Sequence, residues 1–322
     1  MQEFDTKLLK QLYVPPTGSH KGQNGKLLLI GGSHLFHAST LWALDIASKI
    51  VDMVFYASVP ENNEIVQKTK EEFRNGIVIQ QIDLEHYINE ADAILIGPGM
   101  ERTESKEARA KSKEQKIEEI LNLEDEGEKT YFLTKYLLQK YPQKKWIIDA
   151  GALQMLEPEW LKPLNGNAVL TPHKKEFERV FGGVIPAPRP SEALREGGKA
   201  GIQNKEDWIL NQVQNDNIVA NFAKKYNCTV LLKGPDDIVC SSIECCRISG
   251  GNAGMTKGGT GDVLAGLVAA LATKNDLYLS ACVGSFINKK AGEKLFEKVG
   301  YYFNSSDLVS EIPQVMKELL NI

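Results

Sequence analysis

The chain is punctuated by short apolar runs that stop at Gly, Pro or Asp: "KLLLIGG" at 26–32, "MVFYASVP" at 53–60, "AILIGPG" at 93–99, "WIIDAG" at 146–151, "AVLTPH" at 168–173 and "TVLLKGP" at 229–235. Runs of this length without polar alternation read as strands buried on both faces. Between them lie helix-compatible stretches at 40–51, 113–123, 174–181 and 219–225. Strand and helix in alternation predict an α/β fold, a mostly parallel central sheet covered by helices on both faces. No repeat recurs at a fixed period, so one domain is expected over 1–322.

Two segments interrupt the alternation. Residues 101–128 are dense in charge and read as a solvated helix plus loop, with a linker as the alternative. Residues 182–217 carry Pro and Gly early and polar residues late, and read as a surface insertion. The formal net charge of −4 offers no basic excess to displace counterions, so a nucleic-acid partner is not expected. The start "MQEFDTKLLKQLY" lacks a signal-peptide core, and the most apolar helix candidate, 263–272, is too short for a bilayer. A cytoplasmic protein without a membrane partner is expected. Cys228, Cys240, Cys245, Cys246 and Cys282 form an odd set with no C-x-x-C pair, which reads as reduced structural thiols.

In a parallel sheet, ligands bind where the carboxyl ends of the strands open a crevice. Here the residues after the runs are rich in Gly: "GGS", "GPG", "DAGAL", "TPHKKE" and "KGPDD". A further stretch, "MTKGGTGDVLAGLVAALATK" at 255–274, sets Gly258, Gly259, Thr260 and Gly261 at the mouth of an apolar helix. Small residues let backbone N–H groups approach a phosphate, and the first helical turn adds unpaired donors. Asp262 would repel that phosphate. It reads either as a helix cap or as a general base that takes a proton from an incoming hydroxyl during phosphoryl transfer. Neither the P-loop nor the dinucleotide fingerprint occurs.

Five ordered motifs, "SHKGQNGKLLLIGGS", "ADAILIGPG", "TPHKKEF", "LLKGPDDIV" and "GNAGMTKGGTGDVLAG", resemble the ADP-dependent NAD(P)H-hydrate dehydratases of the ribokinase-like superfamily. The resemblance spans nearly the whole chain outside the interruptions. It implies a ribokinase-like three-layer sandwich and repair of the S epimers of NADHX and NADPHX, the hydrated nicotinamide cofactors. ADP would phosphorylate the ring hydroxyl, and elimination would give NADH or NADPH, AMP and phosphate. The resemblance also implies Mg2+ and a homo-oligomer. Because no epimerase-like domain precedes Ser19, a separate NAD(P)HX epimerase is expected.

By motif, Asp262 resembles the catalytic and hydrate-contacting acid. Gly261 resembles a nucleotide contact, and Lys233, Gly234, Pro235, Asp236 and Asp237 the AMP-binding loop. Gly99 and His173 match hydrate-binding positions, as does Ser39 where "FHAST" aligns with the family's small pair. Glu176 resembles the acid that organises magnesium through water. The chain departs from the pattern at Ser39, at Gly151, where the family places an acid, and at Lys257, which would either bind phosphate or crowd the loop. Two other readings stay open: a ribokinase-like kinase for a vitamin precursor or sugar, and a nucleotide binder without turnover.

Overall fold

The computed structural model describes residues 1–69, 75–104, 115–182 and 217–322. One ten-stranded sheet runs β1-β10-β9-β8-β7-β6-β5-β2-β3-β4. The strands are β1 Gln2–Glu3, β2 Lys26–Ile30, β3 Met53–Ala57, β4 Ile77–Val78, β5 Ala93–Ile96, β6 Lys145–Ile148, β7 Ala168–Leu170, β8 Thr229–Leu232, β9 Asp237–Cys240 and β10 Cys245–Ile248. All the expected strands are present: β2, β5 and β6 end directly at Gly31, Gly97 and Asp149, and β3, β7 and β8 leave one or two residues before their Pro or Gly. Only β9 runs antiparallel to its neighbours.

The period of two explains the continuous apolar runs. In β2, Leu28 and Ile30 face one core while Leu27 and Leu29 face the other, and in β5 Ile94 and Ile96 oppose Ala93 and Leu95. The first core is closed by helices including Leu84–Glu90 and Glu126–Lys140, and the second by helices Ala38–Ser48, Thr260–Ala272 and Leu277–Val299. A third cluster lies farther out, between Thr260–Ala272, Leu277–Val299 and Ser305–Leu320. Helix Thr260–Ala272 is therefore covered on both sides, as its lack of polar residues after Asp262 requires. It crosses helix Ala38–Ser48 closely, since a Cβ on Gly266 would lie 2.8 Å from the Ala43 backbone.

The chain runs from β2 outward through β3 and β4, then returns to β5 on the other flank of β2. That reversal opens a crevice above β2 and β5, the topological switch point of such sheets. Gly31 and Gly97 sit there, and the backbones approach to the limit. A Cβ on Gly31 would meet the Pro98 carbonyl oxygen at 2.4 Å, and one on Gly97 (φ +122°) would lie 1.8 Å from that of Asp149.

The structure corrects the cysteine expectation. Cys240 and Cys245 form a disulfide, because the β9–β10 hairpin places them directly opposite with Cα atoms 4.1 Å apart. Cys228, Cys246 and Cys282 are free and buried. In the first interruption, helix Ile117–Leu121 turns Ile117 and Ile120 into the core rather than standing fully solvated. Most of the second interruption, 183–216, and residues 105–114 of the first lie outside the described residues. No helix among the described residues is long and apolar enough to cross a membrane.

Candidate active site

Gly259 precedes helix Thr260–Ala272 in the left-handed region (φ +92°), which only a residue without a Cβ enters cheaply. A Cβ there would also strike the Trp42 ring at 2.3 Å. The turn is held by Thr260, whose hydroxyl donates to the carbonyls of Met255 (2.7 Å) or Lys257 (2.9 Å). Thr260 thus braces the turn through its side chain. Lys257 neither reaches the cradle nor crowds it: its ammonium turns away to the carbonyls of Tyr301 and Phe303.

Asp262 stands in the first turn of this helix. The helix carries no side-chain cap, its N-cap being Gly259, so the capping reading of Asp262 finds no support. Burial, reinforced by the neighbouring Asp149 carboxylate, pushes the Asp262 carboxyl up to about 7. Lys233 and a hydrogen bond with Ser39 act in the opposite direction. Ser39 in turn packs against Gly99, where a Cβ would lie 3.3 Å from that of Ser39. The first helix, the "GPG" loop and Asp262 therefore converge, as the motifs imply.

Lys233 follows β8, and its ammonium lies 3.0 Å from Asp149 Oδ1 after β6. Asp149 is buried and accepts a second hydrogen bond from the Thr171 hydroxyl at 2.7 Å. Burial is the largest single influence on Lys233 and works against its charge, but Asp149, Glu176 and Asp262 together more than offset it and hold the ammonium above its usual range. A Cβ on Gly261 would lie 3.4 Å from the Lys233 nitrogen. One cation thus sits against the cradle and between two carboxylates. Gly151 also has a steric reason: a Cβ there would meet the Met100 carbonyl oxygen at 2.0 Å, leaving no room for an acid.

His173 caps helix Lys174–Phe181. Its Nδ1 accepts from the Glu176 N–H at 3.2 Å, while the His173 backbone N–H donates to Glu176 Oε2 at 2.9 Å. This reciprocal box holds the half-exposed ring, whose Nε2 lies 3.5 Å from Glu176 Oε2, while the His173 backbone forms a parallel bridge to that of Lys233. Glu176 Oε1 accepts from Gln154 Nε2 at 2.9 Å, and Gln154 accepts from Arg102 at 2.7 Å.

Beside the cradle lies a cavity of about 580 Å³ lined by Lys233, Gly234, Pro235, Asp237, Thr260 and Gly261, with Asn252 and Lys289 closing the far wall. Asp236 lies outside this lining. Asp237 reaches the cavity, but its oxygens are taken by the Gly234 N–H (2.8 Å) and the Ser285 hydroxyl (2.7 Å). Burial pushes its carboxyl up, against the pull of Lys289 at 3.4 Å. Lys289 also reaches the carbonyls of Gly234 (3.2 Å), Pro235 (2.8 Å) and Gly250 (3.3 Å). Asp237 and Lys289 thus shape the loop from beneath. Lys289 was missed in the sequence, although a lysine among the apolar positions of "SACVGSFINKKAG" was a signal. We expect Lys289→Met to cost about 3 kcal/mol by leaving Asp237 buried without its cation; a urea midpoint equal to that of the unchanged protein would refute this. A larger hollow of about 830 Å³ lies on helices Ile117–Leu121 and Glu126–Lys140, away from the strand ends.

The family profile described as NAD(P)H-hydrate dehydratase matches residues 27–314. A bifunctional NAD(P)H-hydrate repair enzyme from Methanocaldococcus jannaschii is 33% identical over 317 residues, covering 96% of this chain and 51% of the relative. The chain spans about half the length of that relative and of a similar one from Archaeoglobus fulgidus, of which 52% is covered. An ADP-dependent (S)-NAD(P)H-hydrate dehydratase from Nitrosopumilus maritimus is 33% identical, with 97% and 96% of the two chains covered. In fold, the chain matches an ADP/ATP-dependent NAD(P)H-hydrate dehydratase from Bacillus subtilis co-crystallised with ATP and Mg2+. The TM-score is 0.70 at 18% identity, with 99% and 98% coverage. A ribokinase-like superfamily protein from Enterococcus faecalis matches with a TM-score of 0.72 at 20% identity, with 99% and 96% coverage.

Proposed function

The chain belongs to the NAD(P)H-hydrate dehydratase family, and from that premise we propose that it dehydrates the S epimers of NADHX and NADPHX to NADH and NADPH at the expense of ADP. The observation that carries this reading is a half-buried carboxyl, Asp262, held near neutrality at the mouth of a helix, with Lys233 beside it and a nucleotide-sized cavity next to it. The ring of the hydrate lies against Ser39 and Gly99, with its hydroxyl at Asp262 and His173 at the edge. The nucleotide occupies the cavity, on the loop Lys233–Asp237 and on Gly261.

Asp262 takes the hydroxyl proton as the oxygen attacks the terminal phosphorus of ADP, and AMP leaves. The N–H groups of Gly258, Gly259, Thr260 and Gly261, with the Lys233 ammonium, neutralise charge on the phosphoryl oxygens in flight. The resulting phosphate is a better leaving group than hydroxide. The ring nitrogen's lone pair expels it with cleavage of the carbon–oxygen bond, and loss of a proton from the adjacent carbon restores the double bond.

The residues fit a magnesium ion that arrives with the nucleotide. Both Glu176 oxygens already accept hydrogen bonds, and among the described residues no three metal-ligating groups cluster there. That suits an ion that keeps its waters and binds mainly through phosphates, with Glu176 organising a water. When bound, it supplies charge neutralisation. Epimerisation of the R hydrates belongs, in this proposal, to a separate NAD(P)HX epimerase.

The test mixes the protein with NADHX, magnesium and ADP, following the reduced-nicotinamide absorbance with AMP and phosphate in parallel. Recovery matched mole for mole by AMP is expected. Consumption of ADP with a stable phosphorylated product would make the protein a kinase, and ADP binding without turnover a silent binder. In the same setting Lys233→Ala is expected to weaken ADP about tenfold or more, as loss of a charged phosphate contact does. An unchanged dissociation constant by calorimetry would remove Lys233 from the nucleotide site.

A further inference from the structure

Outside the crevice, one group of side chains has no part in the chemistry above. His34 follows β2, Glu101 follows β5, and Glu126 opens helix Glu126–Lys140. Both acids lie within the charged interruption whose purpose the sequence left unread, at its first residue and near its end. The switch point brings the two strand ends together, and the helix carries Glu126 to the same spot. We propose that His34, Glu101 and Glu126 bind a divalent cation of borderline character, with zinc the best match, on the rim of the crevice.

The geometry supports this directly. One ligand atom from each residue lies within 4.8 Å of the others. His34 Nδ1 is 2.6 Å from Glu126 Oε2 and 3.6 Å from Glu101 Oε1. Ligand atoms on a tetrahedral zinc, at about 2.0–2.1 Å from the metal, stand about 3.3 Å apart. The His34–Glu126 pair must open slightly to admit the ion, and the His34–Glu101 pair must close by a few tenths of an ångström. Glu126 is already oriented, because both its oxygens also accept from the His34 backbone N–H, at 3.2 and 3.3 Å. A fixed carboxylate costs little to present to a metal.

A second observation points the same way. Glu101 Oε1 is sealed from solvent and accepts no hydrogen bond from the described residues. An enclosed carboxylate oxygen without a donor is costly unless a cation meets it. Two carboxylates share a single imidazole, so the cluster stays short of positive charge even when His34 is protonated. Lys129 lines the same hollow, yet among the described residues it pairs with neither acid. The neighbouring Arg102 is turned to Gln154 (2.7 Å) and Glu104 (3.6 Å).

The donor set decides the class of ion. Imidazole nitrogen with carboxylate oxygen suits zinc, or manganese less well, whereas magnesium prefers an all-oxygen shell. A cation held here would tie the loop after β2 to the loop after β5. Those loops touch where a Cβ on Gly99 would meet the Gly32 Cα at 3.2 Å, so the ion would stiffen the wall assigned to the hydrate.

The test is calorimetric titration of zinc chloride into metal-stripped protein at pH 7.5, with neither hydrate nor nucleotide present. One zinc per chain is expected in the unchanged protein, with affinity lowered about tenfold or more in His34→Ala and in Glu101→Gln. His86→Ala serves as the control, since His86 pairs only with Glu90 at 3.3 Å among the described residues and should bind zinc unchanged. A rise in melting temperature on adding zinc, present in the unchanged protein and His86→Ala and absent from the two site variants, confirms that the variants are folded and the site lost. No zinc binding by the unchanged protein, or equal binding by His34→Ala and Glu101→Gln, overturns the proposal. Magnesium binding as tight as zinc overturns the ion class. Because no substrate is present, each of these failures leaves the proposed dehydratase activity untouched.

Discussion

Asp262→Asn should bind ADP normally and lose turnover by about 10³-fold, within the range expected when a positioned general base is removed. Asn keeps the shape and the Ser39 contact but accepts no proton, so the loss falls on kcat and leaves the nucleotide dissociation constant where it was. The same residue sets the pH profile. With its carboxyl at about 7, Asp262 is protonated and idle below neutrality, so kcat/KM of the free enzyme should rise through pH 7 and level off above it. Stability runs the other way. The folded chain holds a proton on Asp262 that the unfolded chain has released by about pH 4, so this group's contribution to stability falls as pH climbs from about 4 to 7. Asp262→Asn should erase that slope and melt above the unchanged protein at pH 8. Turnover like that of the unchanged protein, or an unaltered pH profile, would exclude Asp262 as the base.

Gly97→Ala should be the most damaging single-methyl change in the crevice. The position combines φ +122° with a would-be Cβ 1.8 Å from the Asp149 carbonyl oxygen, and backbone on both sides cannot step aside as a side chain can. The change must push β5 and β6 apart at their carboxyl ends, where Gly97 N–H donates to Ile30 and Asp149 N–H to Ile96. Strain of this kind costs about 4–5 kcal/mol, a fall in melting temperature of about 10 °C for a chain of this size. Asp149 would move with the strand and take Lys233 from the cradle, so activity should fall further than stability alone explains. A melting temperature within two or three degrees of the unchanged protein would show that the loop has room the geometry denies. Gly258→Ala is the natural comparison, since a Cβ there meets nothing within 4 Å.

The strands visible in the sequence are those buried on both faces, where selection for apolar side chains is strongest. β9 and β10, "DIVC" and "CCRI", were invisible because a charge at Asp237 and at Arg247 breaks each short apolar run. Missing that hairpin also meant missing its disulfide, since a separation of five residues becomes a cross-strand pair only once the register is known. The site residues lay in readable places, directly after apolar runs. What they touch was another matter. The Lys233–Asp149 pair joins residues far apart in sequence from the ends of β8 and β6, across the intervening β7, and only the sheet order brings them together. Lys257 looked like a phosphate ligand by neighbourhood, but the carbonyls of Tyr301 and Phe303 take it. Glu176 and His173 share a capping box that explains both residues locally, which tempers any purely catalytic account of the "TPHKKEF" motif.

The helix that presents Asp262 is enclosed between the sheet and an outer layer of helices, and it meets helix Ala38–Ser48 with no space for even a methyl at Gly266. Over evolutionary time such an element is nearly frozen, because any shift in it must be matched by simultaneous changes in several partners. The outer rim, where Leu35 and Phe36 are exposed, carries fewer such obligations than the glycine turns beneath it. A lineage built on this frame can therefore explore new substrates by exchanging its rim while inheriting the helix that carries Asp262 unaltered.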